Sequence, residues 1–149
     1  MTPRSHSIFR TVIGTLAAIA LVSMAALPLH AEEVSVEDAA KYLLILATSA
    51  GSEGRIACKE MDMAMQLKKR EIAVDAKANV AWAFTQEQTK FFASQGKLVV
   101  CNSRKLFPDG GAIAFERTNG RLTVFYNPGN LERSGVRLPE SFLRGAVKI

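Results

Sequence analysis

Histidine is almost absent from this 149-residue chain. Its two histidines, His6 and His30, both lie in the first 31 residues, and none follows. Histidine is the commonest general base in enzymes and the commonest ligand of zinc and copper. The rest of the chain therefore excludes a Ser-His-Asp triad, a Cys-His pair and any metal centre built on histidine.

Charge is absent from residues 11–31, where alanine, leucine, isoleucine and valine predominate. Arg4 and Arg10 precede this run, Pro28 interrupts it near its end, and small residues lead up to Ala31. This pattern predicts a secretory signal over residues 1–31 that is cleaved after Ala31. The alternative is an uncleaved membrane anchor, because the uncharged run is nearly long enough to span a bilayer. No cysteine occupies the cleavage region, which argues against a lipoprotein.

Cysteine is also scarce, with only Cys58 and Cys101 in the chain. They form no CxxC motif and have no metal-ligand spacing, and each ends a short apolar run. Exported proteins meet oxidising conditions, so the even count predicts a disulfide that stabilises the fold by about 4 kcal/mol. The alternative is two separate buried thiols that act as small apolar side chains.

Motifs for nucleotides, nucleic acids and acid–base catalysis are missing as well. Without Arg4 and Arg10 the net charge falls from +5 to +3, and the basic residues are scattered apart from Lys68-Lys69-Arg70. A nucleic-acid surface requires a clustered basic stripe. Gly110-Gly111 fits neither GxGxxG nor a P-loop and indicates a turn. No spacing forces two carboxylates together. We therefore expect no enzymatic activity, no cofactor and no nucleic-acid partner.

Capping residues and apolar periodicity predict strands that alternate with helices. Ser35 begins one helix, and Thr85 begins another that ends at Gly96. Residues 97–102 form an uninterrupted apolar strand, which is typical of a buried parallel sheet. Further strands are expected at 55–58, 71–76 and 80–84. The predicted fold is a single-domain α/β sandwich over residues 32–149, with a mostly parallel sheet and helices on its faces.

Three methionines, Met61, Met63 and Met65, alternate within residues 59–70. The alternation favours a strand, but the surrounding residues are good helix formers, so we predict a helix. Thioether clusters in exported proteins can bind Cu(I), which makes a Cu(I) or small-ligand binding protein the alternative function. On a helix, however, Met61 and Met65 share a face while Met63 points away. Methionines that fill the core are the favoured interpretation.

A partner-contact loop is predicted at Arg104-Lys105-Leu106-Phe107-Pro108. It follows the strand that ends at Cys101, at the carboxyl edge of the expected parallel sheet, where α/β proteins place their binding sites. Arg104 and Phe107 are the candidate anchors, since arginine and aromatic side chains dominate binding energies. Phe107 packed into the core is the alternative. Arg133 is a weaker candidate, because its side chain is placed to interact instead with the last carbonyl groups of a short helix.

The last 40 residues predict a β-hairpin followed by two short helices. Asn119-Gly120 indicates a two-residue turn, because both positions accept positive φ. Asn127-Pro128 begins a short helix that Gly135 ends, and Pro139 begins the terminal helix.

This C-terminal pattern resembles the YfiR/HmsC-type family of small periplasmic proteins. The resemblance implies an α/β fold that depends on disulfides, a periplasmic location and a tendency to form a homodimer. It also implies a regulator that binds the periplasmic sensor domain of a membrane diguanylate cyclase and keeps that cyclase inactive, which limits cyclic-di-GMP and biofilm formation. The chain lacks the family's Trp-Pro signature and second cysteine pair. The residues that carry the resemblance are Gly110, Gly111, Ile113, Phe115, Asn119-Gly120-Arg121, Asn127, Arg133-Ser134-Gly135-Val136, Leu138, Phe142-Leu143-Arg144 and Ala146.

Overall fold

The computed structural model describes residues 32–149, in which one mixed β-sheet separates two layers of helices. The strands are β1 Glu32–Glu33, β2 Arg55–Cys58, β3 Ala73–Val74, β4 Val80–Ala83, β5 Leu98–Cys101, β6 Ile113–Thr118, β7 Arg121–Tyr126 and β8 Val147–Lys148. The helices are α1 Val36–Ser49, α2 Met61–Lys69, α3 Gln86–Ser94, a 3-10 helix Arg104–Asp109, α4 Pro128–Ser134 and α5 Glu140–Arg144. The predicted signal and its cleavage site after Ala31 lie outside the described residues.

The centre of the sheet is parallel, as the sequence predicts. Its strand order is β3-β2-β4-β5-β6-β7-β8, and β1 pairs separately with β6. The pairs β2–β4, β4–β5 and β5–β6 are parallel, so each return crossover lies on a face of the sheet. Every residue of β4 and β5 is buried, which explains their apolar composition. The predicted α/β fold class is confirmed.

The two faces of the sheet bury different side chains. One face carries the main core, in which Leu43 of α1 and Met63 of α2 pack against Val80, Val100 and other large apolar residues. The opposite face is covered by α3 and the 3-10 helix and carries two smaller clusters. No helix within residues 32–149 combines the length and apolarity that crossing a membrane requires.

The C-terminal hairpin forms as predicted. β6 and β7 are antiparallel from Ile113↔Tyr126 to Thr118↔Arg121, and the turn residues Asn119 and Gly120 have φ of 53° and 74°. These positive values match a two-residue turn whose twist suits the strands on either side.

Two elements differ from the sequence prediction. The strand expected over 71–76 is only Ala73–Val74, because Ile72 N–H still donates to Leu67 of α2. The terminal helix that Pro139 begins ends at Arg144, and Val147–Lys148 instead forms β8, parallel to β7. Apolar residues at 146–147 suit a strand beside Phe125 as well as a helical stripe, so spacing alone does not separate the two.

The predicted Cys58–Cys101 disulfide is wrong for this fold, in which both thiols are free. β4 lies between the two strands, so their Cα atoms are about 9–10 Å apart, beyond the reach of a disulfide. Cys58 is also in register with Trp82 and Val100, whereas Cys101 follows Val100 and faces the other side of the sheet. Burial raises the pKa of Cys58 to about 11 and that of Cys101 to about 12, so both remain protonated at neutral pH.

Candidate functional site

Arg104 is fixed at the start of the 3-10 helix by three contacts. Its backbone N–H donates to Glu116 Oε1 at 2.7 Å, and its Nε lies 3.2 Å from Glu116 Oε2. Its guanidinium stacks 4.1 Å from the ring centroid of Phe125. Ser103 begins the 3-10 helix, because its hydroxyl accepts from Lys105 N–H. A long, flexible side chain is therefore held in one orientation.

The anchor of Arg104 is a carboxylate that sequence reasoning missed. Glu116 projects from β6 and is only 3% exposed. Arg104 Nε and Glu116 Oε2 form an ion pair, but their geometry is not that of a hydrogen bond. Glu116 Oε2 therefore accepts no hydrogen bond. A buried carboxylate requires a cation nearby, because removing charge from water is costly. The sequence did contain a signal for this buried charge, because Glu116 lies two residues after Ala114 and therefore on the same buried face of β6.

Phe107 is part of the core and is not an exposed partner contact. Its side chain is 6% exposed and packs with Cys101, Ala114 and Phe125. The 3-10 helix crosses the face of the sheet on its way from β5 to β6, so this side chain points toward the strands. The alternative that the sequence left open, a core phenylalanine, is the correct one.

Arg133 is positioned by α4, which begins where the sequence predicts. Asn127 Oδ1 accepts from Asn130 N–H at 3.0 Å, and Pro128 occupies the first turn. Asn130 Nδ2 then donates to the carbonyls of Phe107 and Gly111, both at 2.8 Å. Asn130 Oδ1 accepts from Arg133 Nη1 at 3.0 Å. One amide thus fastens α4 to the 3-10 helix and orients Arg133.

These residues border one open groove of about 480 Å³, which we call the arginine groove. It brings together all three sequence-predicted residues: Arg104 and Arg133 as polar walls and Phe107 as part of the floor. A second cavity of about 250 Å³ adjoins it and shares Pro108, Asn130 and Arg133. The lining residues of the arginine groove are Arg104, Phe107, Pro108, Asn127, Asn130, Arg133 and Ile149.

The position of the groove differs partly from the prediction. Arg104 follows β5 at the carboxyl edge of the parallel strands. α4, however, follows β7, whose last residue Tyr126 is in register with Ile113 at the start of β6. Ile113 is in turn in register with Val100, so α4 begins beside the last residues of β5. The groove lies along the 3-10 helix between this level and Arg104. Asn130, whose amide joins α4 to the 3-10 helix, gave no sequence signal beyond its place in the first turn of α4.

The two arginines differ in electrostatic environment. The charge of Arg104 is balanced by Glu116, whereas Arg133 forms no salt bridge with any residue of the described chain. Arg133 is exposed, and its contact with Asn130 uses a neutral acceptor. Among the described residues, the groove consequently carries one guanidinium group without a salt bridge, beside apolar surface.

The three methionines do not converge. Met63 is fully buried in the main core, whereas Met61 and Met65 are 76% and 52% exposed on the other side of α2. Cu(I) coordination by all three sulfur atoms would require α2 to unwind. Within residues 32–149, no group of three or more His, Cys, Asp or Glu side chains is arranged to hold a metal ion.

Comparison with known proteins defines the class of fold. No family model matches the chain, and no curated protein matches it. Among solved structures, the chain is similar to a conserved domain protein from Vibrio cholerae O1 biovar El Tor, with a TM-score of 0.57 and 12% sequence identity. The match covers 78% of this chain and 60% of the Vibrio chain, so this chain spans less than two thirds of its neighbour's length. The similarity is one of α/β fold.

Proposed function

We propose that the protein is a non-enzymatic periplasmic regulator that binds and restrains a membrane-anchored partner, the periplasmic sensor domain of a diguanylate cyclase. The observation that carries the proposal is the arginine groove. It is open, it holds two oriented guanidinium groups, and apolar surface from Pro108 and Ile149 lies beside them.

The groove has the properties of a protein-binding surface. Arginine is among the side chains that contribute most to interface energies. Arg104 and Arg133 are already held by Glu116 and Asn130, so little side-chain entropy remains to be lost when a partner binds. The buried Phe107 provides a rigid floor.

The resemblance to the YfiR/HmsC-type family supports the class of partner. Residues that carry the resemblance also build the groove: Asn127 begins α4, Arg133 forms a wall, and Gly111 receives the amide of Asn130. The C-terminal pattern thus coincides with the candidate site.

Restraint requires that the protein bind the inactive state of its partner more tightly than the active state. Shifting a two-state partner from 1% to 99% inactive requires a difference of about 5.5 kcal/mol in binding free energy. Truncating an arginine that is an interface hot spot costs about 2 kcal/mol or more in binding free energy. Two such arginines would supply a large part of that difference if they contact the partner in its inactive state alone.

Cellular cyclic-di-GMP tests the proposal. Deletion of the gene should raise it, and the wild-type protein supplied in trans should lower it again. Arg133→Ala should complement poorly, because it removes an exposed anchor without disturbing the core. Arg121→Ala is the matched control, since Arg121 is also exposed and lies at the far end of β7. Circular dichroism of both purified variants should show the native fold. A deletion strain with unchanged cyclic-di-GMP would refute the proposed function.

A further inference from the structure

The arginine groove carries a charge selectivity that identifies the kind of partner segment it accepts. The polar side chains that line it are two arginines and two asparagines, and none of the lining side chains is acidic. Two carboxylates beside the groove are already engaged. Glu116 is buried against Arg104, and Asp109, in the adjoining cavity, accepts from Gln86 and pairs with Lys90. Glu132 precedes Arg133 on α4 but does not line the groove.

Arg133 is the free cation of this surface within the described chain. It contacts only the amide oxygen of Asn130 there, at 3.0 Å from Nη1, and forms no salt bridge. Most of its N–H donors remain available. The planar guanidinium matches a carboxylate in a two-point hydrogen-bonded pair, so the orientation set by Asn130 presents free N–H donors to an acidic side chain.

The remaining lining is apolar. Ile149 is 54% exposed at one rim, and Pro108 and Phe107 continue this surface beneath it. A segment that fills the groove must therefore place an apolar side chain next to its charged group.

We infer that the groove binds an acidic segment of the partner protein, in which an aspartate or glutamate pairs with Arg133 and a neighbouring apolar side chain packs against Pro108 and Ile149. This inference rests on the proposed function and specifies its binding chemistry. Arg104, neutralised by Glu116, forms the opposite wall and contributes hydrogen-bond donors without a second net charge.

Charge reversal followed by suppressor selection tests the inference. Arg133→Glu, at an exposed position, should keep the fold, raise cyclic-di-GMP and weaken binding of the partner by at least about tenfold. Arg121→Glu makes the same charge change at the far end of β7 and should leave restraint intact. Partner mutations that restore restraint by Arg133→Glu should replace an aspartate or glutamate of the periplasmic domain with lysine or arginine. Those partner variants should in turn bind the wild-type protein less tightly.

Two genetic results would overturn the inference, whereas the proposed function is tested separately by the gene deletion. One is full restraint by the Arg133→Glu protein. The other is a set of restoring mutations that lacks charge reversals in the partner. Binding of the wild-type protein to phosphatidylglycerol vesicles that is lost in Arg133→Glu would assign the groove to lipid phosphate and also refute an acidic protein segment.

Discussion

Replacing Arg104 with alanine should destabilise the protein more than the exposure of this side chain suggests. The Arg104 side chain is 44% exposed, but its partner Glu116 is 3% exposed. Exposed ion pairs contribute about 0–1 kcal/mol, whereas a buried charge that loses its partner costs about 3–5 kcal/mol. The Arg104→Ala variant leaves the carboxylate of Glu116 as a buried charge without its partner.

The full penalty is not expected, because two features of the structure reduce it. The backbone N–H of residue 104 still donates to Glu116 in the variant, at 2.7 Å in the native protein. Water can also reach the carboxylate through the half-exposed space that the arginine vacates. We therefore expect a loss of about 2–3 kcal/mol in the free energy of unfolding, about 0.5–1 kcal/mol of which is lost stacking on Phe125.

Urea unfolding measured by tryptophan fluorescence is a suitable assay. Trp82 is the only tryptophan and is 2% exposed in the main core, so its emission reports global unfolding. For a domain of this size the same loss should lower the melting temperature by about 6–12 °C. Arg121→Ala, the matched control, should change stability by less than about 0.5 kcal/mol.

A double-mutant cycle identifies the cause. Glu116→Gln removes the buried charge but keeps an acceptor for the backbone N–H of residue 104. In the Arg104→Ala background it should therefore recover part of the lost stability, although it is destabilising in the native background. Additive losses, or an Arg104→Ala protein as stable as the control, would refute the role assigned to this ion pair.

Three further predictions concern the rest of the fold. Unfolded, unreduced protein should titrate with two free thiols, and reductant should leave the melting temperature unchanged, because Cys58 and Cys101 lie on opposite faces of the sheet. Phe107→Ala should cost about 3–5 kcal/mol in urea unfolding, the usual loss for a buried aromatic side chain. The hydrogen bond from Arg117 holds the pKa of Asp38 below its usual range, so the pair stabilises the fold above that range and less as pH falls through the lowered pKa. Asp38→Asn should therefore lower the melting temperature more at pH 7 than in acid below the lowered pKa, and a loss that does not shrink as the pH falls would contradict this.

Local signals predicted the elements well because the interactions that create them are local. Ser35, Thr85 and Asn127 each accept a hydrogen bond from a backbone N–H three residues later, so the cap is encoded within a few positions. The Asn119-Gly120 turn is equally local. α2 formed despite its alternating methionines, because helix propensity and the burial of Met63 outweighed the period-two pattern.

Non-local pairing was where sequence reasoning failed. The disulfide prediction depended on which strand neighbours β2, and the chain places β4 there. β8 was missed for the same reason, since Val147 pairs with Phe125, from which α4 and α5 separate it in the sequence. Spacing along a sequence does not specify such neighbours.

The candidate site was predictable by residue type but not by mechanism. Arginines in a loop and at a helix end were predicted as anchors, whereas the residues that hold them, Glu116 and Asn130, were not predicted. Both depart from local expectations. Glu116 places a charge on a buried strand face, and Asn130 donates from its side-chain amide to another segment instead of to its own helix. Such exceptions are expected where a fold is shaped for binding. Each contacts the 3-10 helix that borders the arginine groove, so one set of contacts both packs this helix onto the fold and orients the surface that we assign to the partner.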